Sequence, residues 1–208
     1  PKIHKEGYKF LAISILATFI ILIFSKFLGS IFILISVWVY YFFRDPDRIS
    51  INDDNYLVSP ADGLITDISE KSGPEELRLE NTSFTRISVF MNVFNCHVNR
   101  VPSSGKIEEI FYKPGKFLNA SLDKASEENE RNYFKVRLNN GEEIIIVQIA
   151  GLIARRIVCE VEQGQELKQG DRIGMIRFGS RVDIYFKNKK ILAKLGQNVV
   201  AGESLLAS

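Results

Sequence analysis

Apolar residues are distributed very unevenly along this chain. Two uninterrupted apolar runs lie near its start, from Phe10 to Ser25 and from Phe27 to Phe43, and only Lys26 separates them. As a helix, each run would span roughly 25 Å, slightly less than a hydrocarbon core of about 30 Å. The pattern therefore predicts a hairpin of two apolar helices, which either crosses the membrane or enters one leaflet and returns.

Basic residues on both sides of the hairpin indicate its orientation. They are Lys2, Lys5 and Lys9 before the first run, and Arg44 and Arg48 after the second. Because basic residues favour the cytoplasmic side, both ends of the hairpin are expected there. We therefore predict a membrane-anchoring helical hairpin at residues 1–48 in the cell (inner) membrane. A second domain, residues 49–208, is expected on the cytoplasmic face.

From Asp45 onward, short alternating segments replace the continuous apolar runs. Three of them are rich in β-branched and aromatic residues and are predicted as strands: Phe84 to Met91, Tyr133 to Leu138 and Glu143 to Ala150. Asn140-Gly141 predicts a hairpin turn between the last two, since both residues accept positive φ. Leu118 to Arg131 is polar and charged enough to be a loop. We predict a mainly β domain, built as a sandwich or barrel of short strands.

Charge and cysteine content exclude several classes of protein. The net charge is +2, and the chain lacks the basic stripe with interleaved aromatics that is typical of nucleic-acid binding. Cys96 and Cys159 do not have the spacing of metal ligands, so no metal site is predicted. We interpret them as two buried free thiols in a reducing compartment.

Three polar positions stand out as candidates for chemistry. His97 lies in NCHVNRVP, at the end of an apolar strand, and Asp62 lies in SPADG, just before the segment LITDIS. Ser180 follows Gly179 in RFGSR. Taken singly, each has a plain structural explanation: a structural histidine, a turn aspartate and a tight bend.

Taken together, five motifs in this order resemble the short bacterial form of phosphatidylserine decarboxylase. They are FFRDPDR, SPADG, HVNRVP, IAGLIARRIV and RFGSR. The resemblance runs from the apolar hairpin nearly to the C-terminus. Five such matches in the right order make a chance resemblance improbable.

The resemblance implies that the chain is a proenzyme that cleaves itself between Gly179 and Ser180. The products would be a large chain, residues 1–179, and a small chain, residues 180–208, which stay together as a heterodimer. Ser180 would become a covalent pyruvoyl group. Serine suits this chemistry because its oxygen is both nucleophile and leaving group, and glycine permits a sharp turn before it.

The implied reaction is the decarboxylation of phosphatidylserine to phosphatidylethanolamine and carbon dioxide through a Schiff base to the pyruvoyl group. His97 is the candidate general acid, and Asp62 belongs to the catalytic set. Arg155 and Arg156 are candidates for binding the substrate's phosphate or carboxylate, although two solvent-facing arginines are an equally good interpretation. Partners are thus the phospholipid substrate and membrane lipid, and a higher oligomer is left open.

One departure from longer relatives concerns the histidines. Those relatives resemble YHRVHMP here, and the second histidine is assigned to an Asp-His-Ser triad for self-cleavage. Aligned on the proline, His97 takes the first position and Arg100 the second. Either His97 serves both steps with Asp62, or a different base is used.

A different class of function also fits part of the pattern. The segments VEQGQELKQGDRIGMI and LGQNVVAGESLL are alike, each placing glycine and polar residues between brief apolar strands. Similar patterns occur in lipoyl-type β domains. The alternative prediction is therefore a membrane-tethered domain that binds or scaffolds. It predicts an intact chain and leaves RFGSR without a purpose.

Overall fold

The computed structural model describes residues 2–117, 128–151, 156–177 and 180–208. The chain divides into two compact units, one ending at Asp47 and the other beginning at Arg48. The first unit is helical and the second is built from strands. The predicted fold class, a mainly β domain with an N-terminal helical hairpin, is confirmed.

The first unit is a helical hairpin. It comprises β1 (Lys2–Ile3), α1 (Gly7–Phe24), α2 (Lys26–Phe42) and β2 (Arg44–Asp45), with β1 and β2 paired antiparallel. Ser25 separates the helices in extended conformation, and its hydroxyl accepts the Leu28 N–H at the start of α2. The Thr18 and Ser36 hydroxyls join the helices, with their oxygens 3.0 Å apart. By length and composition α1 is able to cross a membrane, with a mean hydropathy of 2.2, whereas α2 is apolar but shorter.

The second unit contains the remaining strands. In chain order they are β3 (Leu57–Val58), β4 (Gly63–Ser72), β5 (Ser83–Met91), β6 (Val98–Arg100), β7 (Gly105–Lys113), β8 (Arg131–Leu138), β9 (Glu143–Ala150), β10 (Ile157–Cys159), β11 (Glu166–Leu167), β12 (Arg172–Ile176), β13 (Ser180–Phe186), β14 (Asn198–Val199) and β15 (Leu205–Ala207). One short 3₁₀ helix, Glu75–Leu77, lies between β4 and β5.

Eight of these strands form one antiparallel sheet in the order β11-β7-β8-β9-β13-β5-β4-β14. Smaller sheets comprise β10-β12-β6 and β15-β3. The inner face of the large sheet carries the main apolar core, including Ile87, Phe134, Ile146 and Ile184. The outer face buries a smaller cluster around Phe84, Tyr133 and Tyr185. Strand alternation places residues two apart on the same face, so each central strand serves both cores.

The large sheet is an internal repeat about its central pair, β9 and β13. We call β4, β5, β13 and β14 the Ser180 half, and β7, β8, β9 and β11 the Gly141 half. The outermost strand pairs match: Asn198 and Val199 face Leu64 and Gly63, while Glu166 and Leu167 face Lys106 and Gly105. A bulge follows at the same place in each half, between Ile65 and Asp67 and between Ile107 and Glu109.

Turn hydrogen bonds repeat as well. The Gly196 N–H donates to Ile65 O at 2.9 Å, and the Gly164 N–H donates to Ile107 O at 2.7 Å. The Gln197 and Gln165 side chains each accept a backbone N–H three residues back, both at 3.0 Å. The likeness of the two glycine-containing segments in the sequence therefore reflects two equivalent turns.

Most of the predicted elements are present. The strands expected at 84–91, 133–138 and 143–150 are found, and Gly141 has φ +87° in the predicted turn. Cys96 is buried as expected, but Cys159 is exposed, so the expectation of two buried thiols was wrong for Cys159. It lies in β10, and its Sγ donates to Val161 O at 3.3 Å. Of the loop expected at 118–131, residues 118–127 lie outside the described residues.

Candidate active site

Ser180 begins β13 at one end of the inner face. Its register partners are Met91 in β5 and Ala150 in β9, so its strand is paired on both sides. The residue is fully buried. Among the described residues its hydroxyl oxygen has no hydrogen-bond partner. A buried hydroxyl without a partner is costly in a fold, so such a group calls for an explanation.

His97 lies at the same end of the sheet. It follows β5 by a short turn, and its carbonyl accepts the Ile176 N–H at 3.3 Å, four residues before Ser180 in sequence. The ring is fully buried, with Nδ1 3.0 Å from the Asn95 carbonyl oxygen. A carbonyl oxygen only accepts, so Nδ1 carries the proton in the neutral ring and Nε2 is the nitrogen that takes or delivers one.

A chain of buried side-chain amides leads towards Ser180 along the inner face. The Asn132 amide donates to Gln148 Oε1 at 3.3 Å, and the Gln148 amide donates to Asn99 Oδ1 at 2.8 Å. Asn99 Nδ2 then points at the Met91 thioether at 3.7 Å. Because a thioether is a weak acceptor, the Asn99 amide is able to donate to a stronger acceptor, such as an anionic group brought beside Ser180.

Asp62 has a different environment. Its Oδ2 accepts Arg48 Nη2 at 2.8 Å, and its Oδ1 accepts the Ala201 N–H, also at 2.8 Å. Among the described residues, neither oxygen bonds His97 or Ser180. The next residue, Gly63, packs so closely on the Phe90 carbonyl that a Cβ would lie 2.1 Å from its oxygen. Asp62 therefore holds the turn beside the end of β5 and does not touch the serine.

The repeat gives Asp62 a counterpart. Ser104 precedes Gly105 as Asp62 precedes Gly63, and the Ser104 hydroxyl accepts the Gln169 N–H at 3.2 Å. The bond between Asp62 and Ala201 is thus a turn bond found in both halves. What Asp62 adds is a negative charge and the ion pair with Arg48.

Arg100, at the position where longer relatives carry the second histidine, is buried. Its Nη1 donates to the Gly170 carbonyl at 2.8 Å, and its stem packs beside Gly202. The Arg100 side chain therefore joins β6 to two turns, through its guanidinium at Gly170 and its stem at Gly202. Arginine stays protonated at any ordinary pH, so it cannot act as the base that a histidine would supply.

The remaining predicted residues are only partly visible. Arg156 is exposed, and its carbonyl accepts the Arg177 N–H at 3.2 Å. This bond brings Arg156 to the segment that leads into Ser180. Arg155 and Gly179 lie outside the described residues. No cluster of potential metal ligands occurs among the described residues.

A polar cavity of about 700 Å³ lies on the outer face of the sheet, away from the Ser180 side chain. Its charges neutralise one another: Glu76 binds Lys113 at 2.7 Å and Arg131 at 3.2 Å. Burial and the nearby Asp183 carboxylate raise the pKa of Tyr185 to about 12. A neutral phenol among closed ion pairs offers no acid or base near neutral pH, so the inner-face end of β13 is the better candidate site.

Comparison with known proteins identifies the family of the chain. The family model described as phosphatidylserine decarboxylase matches residues 35–207. The chain belongs to the phosphatidylserine decarboxylase family. It is 67% identical over 207 residues to the phosphatidylserine decarboxylase proenzyme of Pelagibacter ubique (strain HTCC1062), covering 100% of this chain and 96% of that one. It is 50% identical over 206 residues to the proenzymes of Rickettsia akari and Rickettsia typhi, covering 99% of this chain and 89% of each.

Membership of the phosphatidylserine decarboxylase family makes this chain a carboxy-lyase, as the motifs indicated. Sequence reasoning missed the buried amides Asn99, Asn132 and Gln148, and also Arg48 as the partner of Asp62. A signal for Gln148 was present: it is a polar residue inside the apolar strand EIIIVQIA. Nothing local distinguished Asn99 or Arg48, because their roles depend on contacts distant in sequence.

Proposed function

We propose that this chain is a phosphatidylserine decarboxylase proenzyme that cleaves itself between Gly179 and Ser180. The observation that carries the proposal is the buried Ser180 hydroxyl, which has no hydrogen-bond partner among the described residues and lies at the start of a central strand. A hydroxyl that no hydrogen bond engages is available to act as a nucleophile. The family membership supports the same conclusion.

Self-cleavage uses only the atoms of the chain and one water molecule. Ser180 Oγ attacks the Gly179 carbonyl carbon and gives up its proton to a base, and the peptide C–N bond breaks to leave an ester and a Ser180 amine. Loss of the Ser180 α-proton expels the ester carboxylate, which becomes the C-terminus of residues 1–179. Water then hydrolyses the resulting enamine, after it tautomerises to the imine, and releases ammonia. The group left on residue 180 is pyruvoyl.

The site suits such a group. Ser180 is fully buried, and Asn99 and Gln148 provide buried amides near it. When present, a pyruvoyl carbonyl supplies an electron sink for loss of carbon dioxide from an amine-bearing substrate. His97 Nε2 holds the proton that is delivered to the carbon losing the carboxylate. The bond from Nδ1 to Asn95 keeps the ring in the required tautomer.

Asp62 acts as a positioning residue in this proposal. The ion pair with Arg48 and the bond from Ala201 fix the turn before Gly63, which in turn contacts the end of β5. That end carries Met91, the register partner of Ser180. Asp62 therefore influences the serine through the backbone of β5.

The substrate assignment is supported by the first unit. A diacyl lipid does not leave the bilayer readily, and the hairpin is apolar enough to hold the chain there. We place the hairpin in the cell membrane with both ends on the cytoplasmic side, as its flanking charges indicate. Arg156, with Arg155, is proposed to meet the phosphate or carboxylate of the headgroup.

The test combines mass and activity. The purified full chain is analysed by intact mass spectrometry and then mixed with phosphatidylserine vesicles, and carbon dioxide and phosphatidylethanolamine are measured. We expect a small chain of residues 180–208 with a pyruvoyl start, and equal amounts of both products. A single uncut chain with an unmodified serine that makes neither product would refute the proposal and favour the membrane-tethered binding domain.

A further inference from the structure

One edge of the large sheet gathers the strand ends around Ser180. Antiparallel register places the starts of β4, β8 and β13 at the same edge as the ends of β5, β7 and β9. We call this end of the sheet, where these six strands start or finish, the Ser180 edge. The residues of this edge are therefore the nearest strand ends to the serine in the sheet.

The Ser180 edge carries a fixed and exposed aromatic side chain. Phe94 is 61% exposed, in the turn between Met91 and His97. The turn is closed by its asparagines: the Asn92 N–H donates to Asn95 Oδ1 at 2.9 Å, and the Phe94 N–H donates to Asn92 Oδ1 at 2.8 Å. These bonds fix the backbone that carries Phe94, whose ring is mostly exposed although exposure of a phenyl ring to water is unfavourable.

The same turn is joined to the site. Asn95, whose side chain closes the turn, also places its backbone carbonyl 3.0 Å from His97 Nδ1. The position of the Phe94 ring and the orientation of the candidate general acid are thus set by one short segment. A surface that contacts Phe94 would therefore be close to His97, which is three residues further along the chain.

Other exposed groups on this edge have the composition of a membrane–water interface. Tyr112, near the end of β7, is 52% exposed, and Leu64, near the start of β4, is 38% exposed. Arg156 is exposed at the same edge. The nearby carboxylates are engaged, since Glu128 binds Lys116 at 3.0 Å and buried Glu130 accepts the Ile157 N–H. Aromatic rings with exposed arginine suit an anionic lipid surface.

We propose that the Ser180 edge docks onto the bilayer, with Phe94 inserted at the level of the headgroups. This inference rests on the proposed function, because a diacyl substrate must present its headgroup to Ser180 while its chains remain in lipid. A bilayer is favoured over a protein partner by the anionic substrate and by the exposed arginine beside the rings. Docking through Phe94 would place the headgroup at the mouth of the site.

The first test measures depth and needs no activity. Trp38 is the only tryptophan, so Trp38→Phe with Phe94→Trp gives a full chain with one indole reporter. Vesicles of phosphatidylcholine and phosphatidylglycerol carry bromine on their acyl chains as the quencher. The matched control is Trp38→Phe with Lys106→Trp, an exposed site at the opposite ends of the strands. We expect strong quenching of the reporter at position 94 and little quenching at position 106.

Equal quenching of the two reporters would overturn the proposal, whether both are quenched or neither is. Burial of the reporter at position 94 from a water-soluble quencher in detergent, without quenching by brominated lipid, would also overturn it and indicate a protein partner. These results do not depend on cleavage or turnover. Failure of the docking surface is therefore distinguishable from failure of the proposed function.

The second test compares activity on a substrate in a membrane with activity on a monomeric substrate. Phe94→Ser is compared with the unmodified chain on phosphatidylserine in vesicles and on a short-chain monomeric phosphatidylserine. We expect the ratio of vesicle to monomer activity to fall by about tenfold, because burial of an aromatic ring is lost only at the bilayer. An unchanged ratio would overturn the proposal. Absence of activity in the unmodified chain on both substrates would instead count against the proposed function.

Discussion

The two halves of the large sheet share a scaffold but differ at one junction. In the Gly141 half, β8 and β9 are joined by a tight turn at Asn139, Asn140 and Gly141. In the Ser180 half, the equivalent strands β5 and β13 lie side by side, yet residues 92–179 separate them in sequence. By register, Glu142 after Gly141 takes the place that Ser180 after Gly179 takes in the other half.

The junction between equivalent strands is therefore the place where the two halves of the repeat differ and where the candidate site lies. In the closed turn, the backbone N–H groups of Leu138 and Gly141 are hydrogen-bonded within the turn itself. In the Ser180 half no short turn joins the two strands. The segment that carries Phe94, His97 and Asn99 follows the end of β5 instead. The Ser180 half thus keeps the sheet and carries the candidate site. Each prediction below compares a change in this half, or in the segment that follows β5, with a control change in the Gly141 half.

The largest expected effect is at the junction itself. Ser180→Ala removes the nucleophile, so the chain should remain a single species of 208 residues. Glu142→Ala, at the matched position in the closed half, should be cleaved like the unmodified chain. Intact mass spectrometry distinguishes the two. Cleavage of the Ser180→Ala chain at the same bond would show that the hydroxyl is not the nucleophile.

The second prediction concerns the proton supplied beside the junction. His97→Gln replaces the imidazole with an amide of similar reach that cannot act as an acid near neutral pH, so decarboxylation by cleaved enzyme should fall by about 10²–10⁴-fold. Asn140→Ala, in the closed turn, should change stability and leave turnover per folded molecule unaltered. Release of carbon dioxide from carboxyl-labelled phosphatidylserine measures both.

The same variant separates the two hypotheses for self-cleavage. If His97→Gln stays uncut, His97 is the base for self-cleavage. If it is cut normally, another base acts in cleavage. Turnover equal to that of the unmodified enzyme would refute the role of His97 as general acid.

The third prediction contrasts the ion pairs on the outer face. Asp183 is 1% exposed and lies 2.9 Å from Arg181 and 3.9 Å from Arg86. Asp183→Asn would remove the carboxylate beside the buried Arg181 and leave Arg86 with Asp67, 2.7 Å away, so unfolding free energy should fall by about 3–5 kcal/mol. Glu143→Gln, in the solvated pairs of the Gly141 half, should cost about 0–1 kcal/mol. Urea unfolding of the uncut Ser180→Ala chain measures both, and similar losses would contradict the contrast.

The smallest expected effect is at the paired turns. Asp62→Asn keeps an acceptor for the Ala201 N–H but removes the charge beside Arg48, so we expect self-cleavage to slow by about tenfold. Ser104→Ala loses the equivalent turn bond and should lower stability by about 1 kcal/mol without slowing cleavage. Cleavage half-times are compared at equal folded fraction. If Asp62→Asn cleaves at the unmodified rate, Asp62 serves only the turn.

Much of this fold was predictable because the pattern is local. EIIIVQIA and SFTRISVFM are dense in β-branched and aromatic residues, and Asn140-Gly141 specifies its turn directly. β7 was not predicted, since Glu108 and Glu109 interrupt the alternation of GKIEEIFYK. The bulge between Ile107 and Glu109 explains that interruption, because an extra residue shifts the faces of the strand.

The site was less predictable from sequence. Ser180, His97 and Asp62 could be chosen from motifs, but the motifs do not say which of them meet. The bond from Arg48 to Asp62 and the amide chain through Asn99 depend on strands brought together from distant parts of the chain. Contacts of that kind follow from sheet order and register, which local propensity does not determine.

The pairing of β13 has a consequence for the life of the enzyme after the proposed cut. Residues 180–208 supply β13, β14 and β15, and each of these pairs with a strand from the larger fragment. The cut product would be a split protein whose 29-residue piece is held by strand complementation. Once unfolded, its pieces would have to find each other by diffusion, so recovery would depend on concentration. Before the cut, refolding would involve a single chain. After the cut, the lifetime of the folded enzyme would be set by its rate of unfolding.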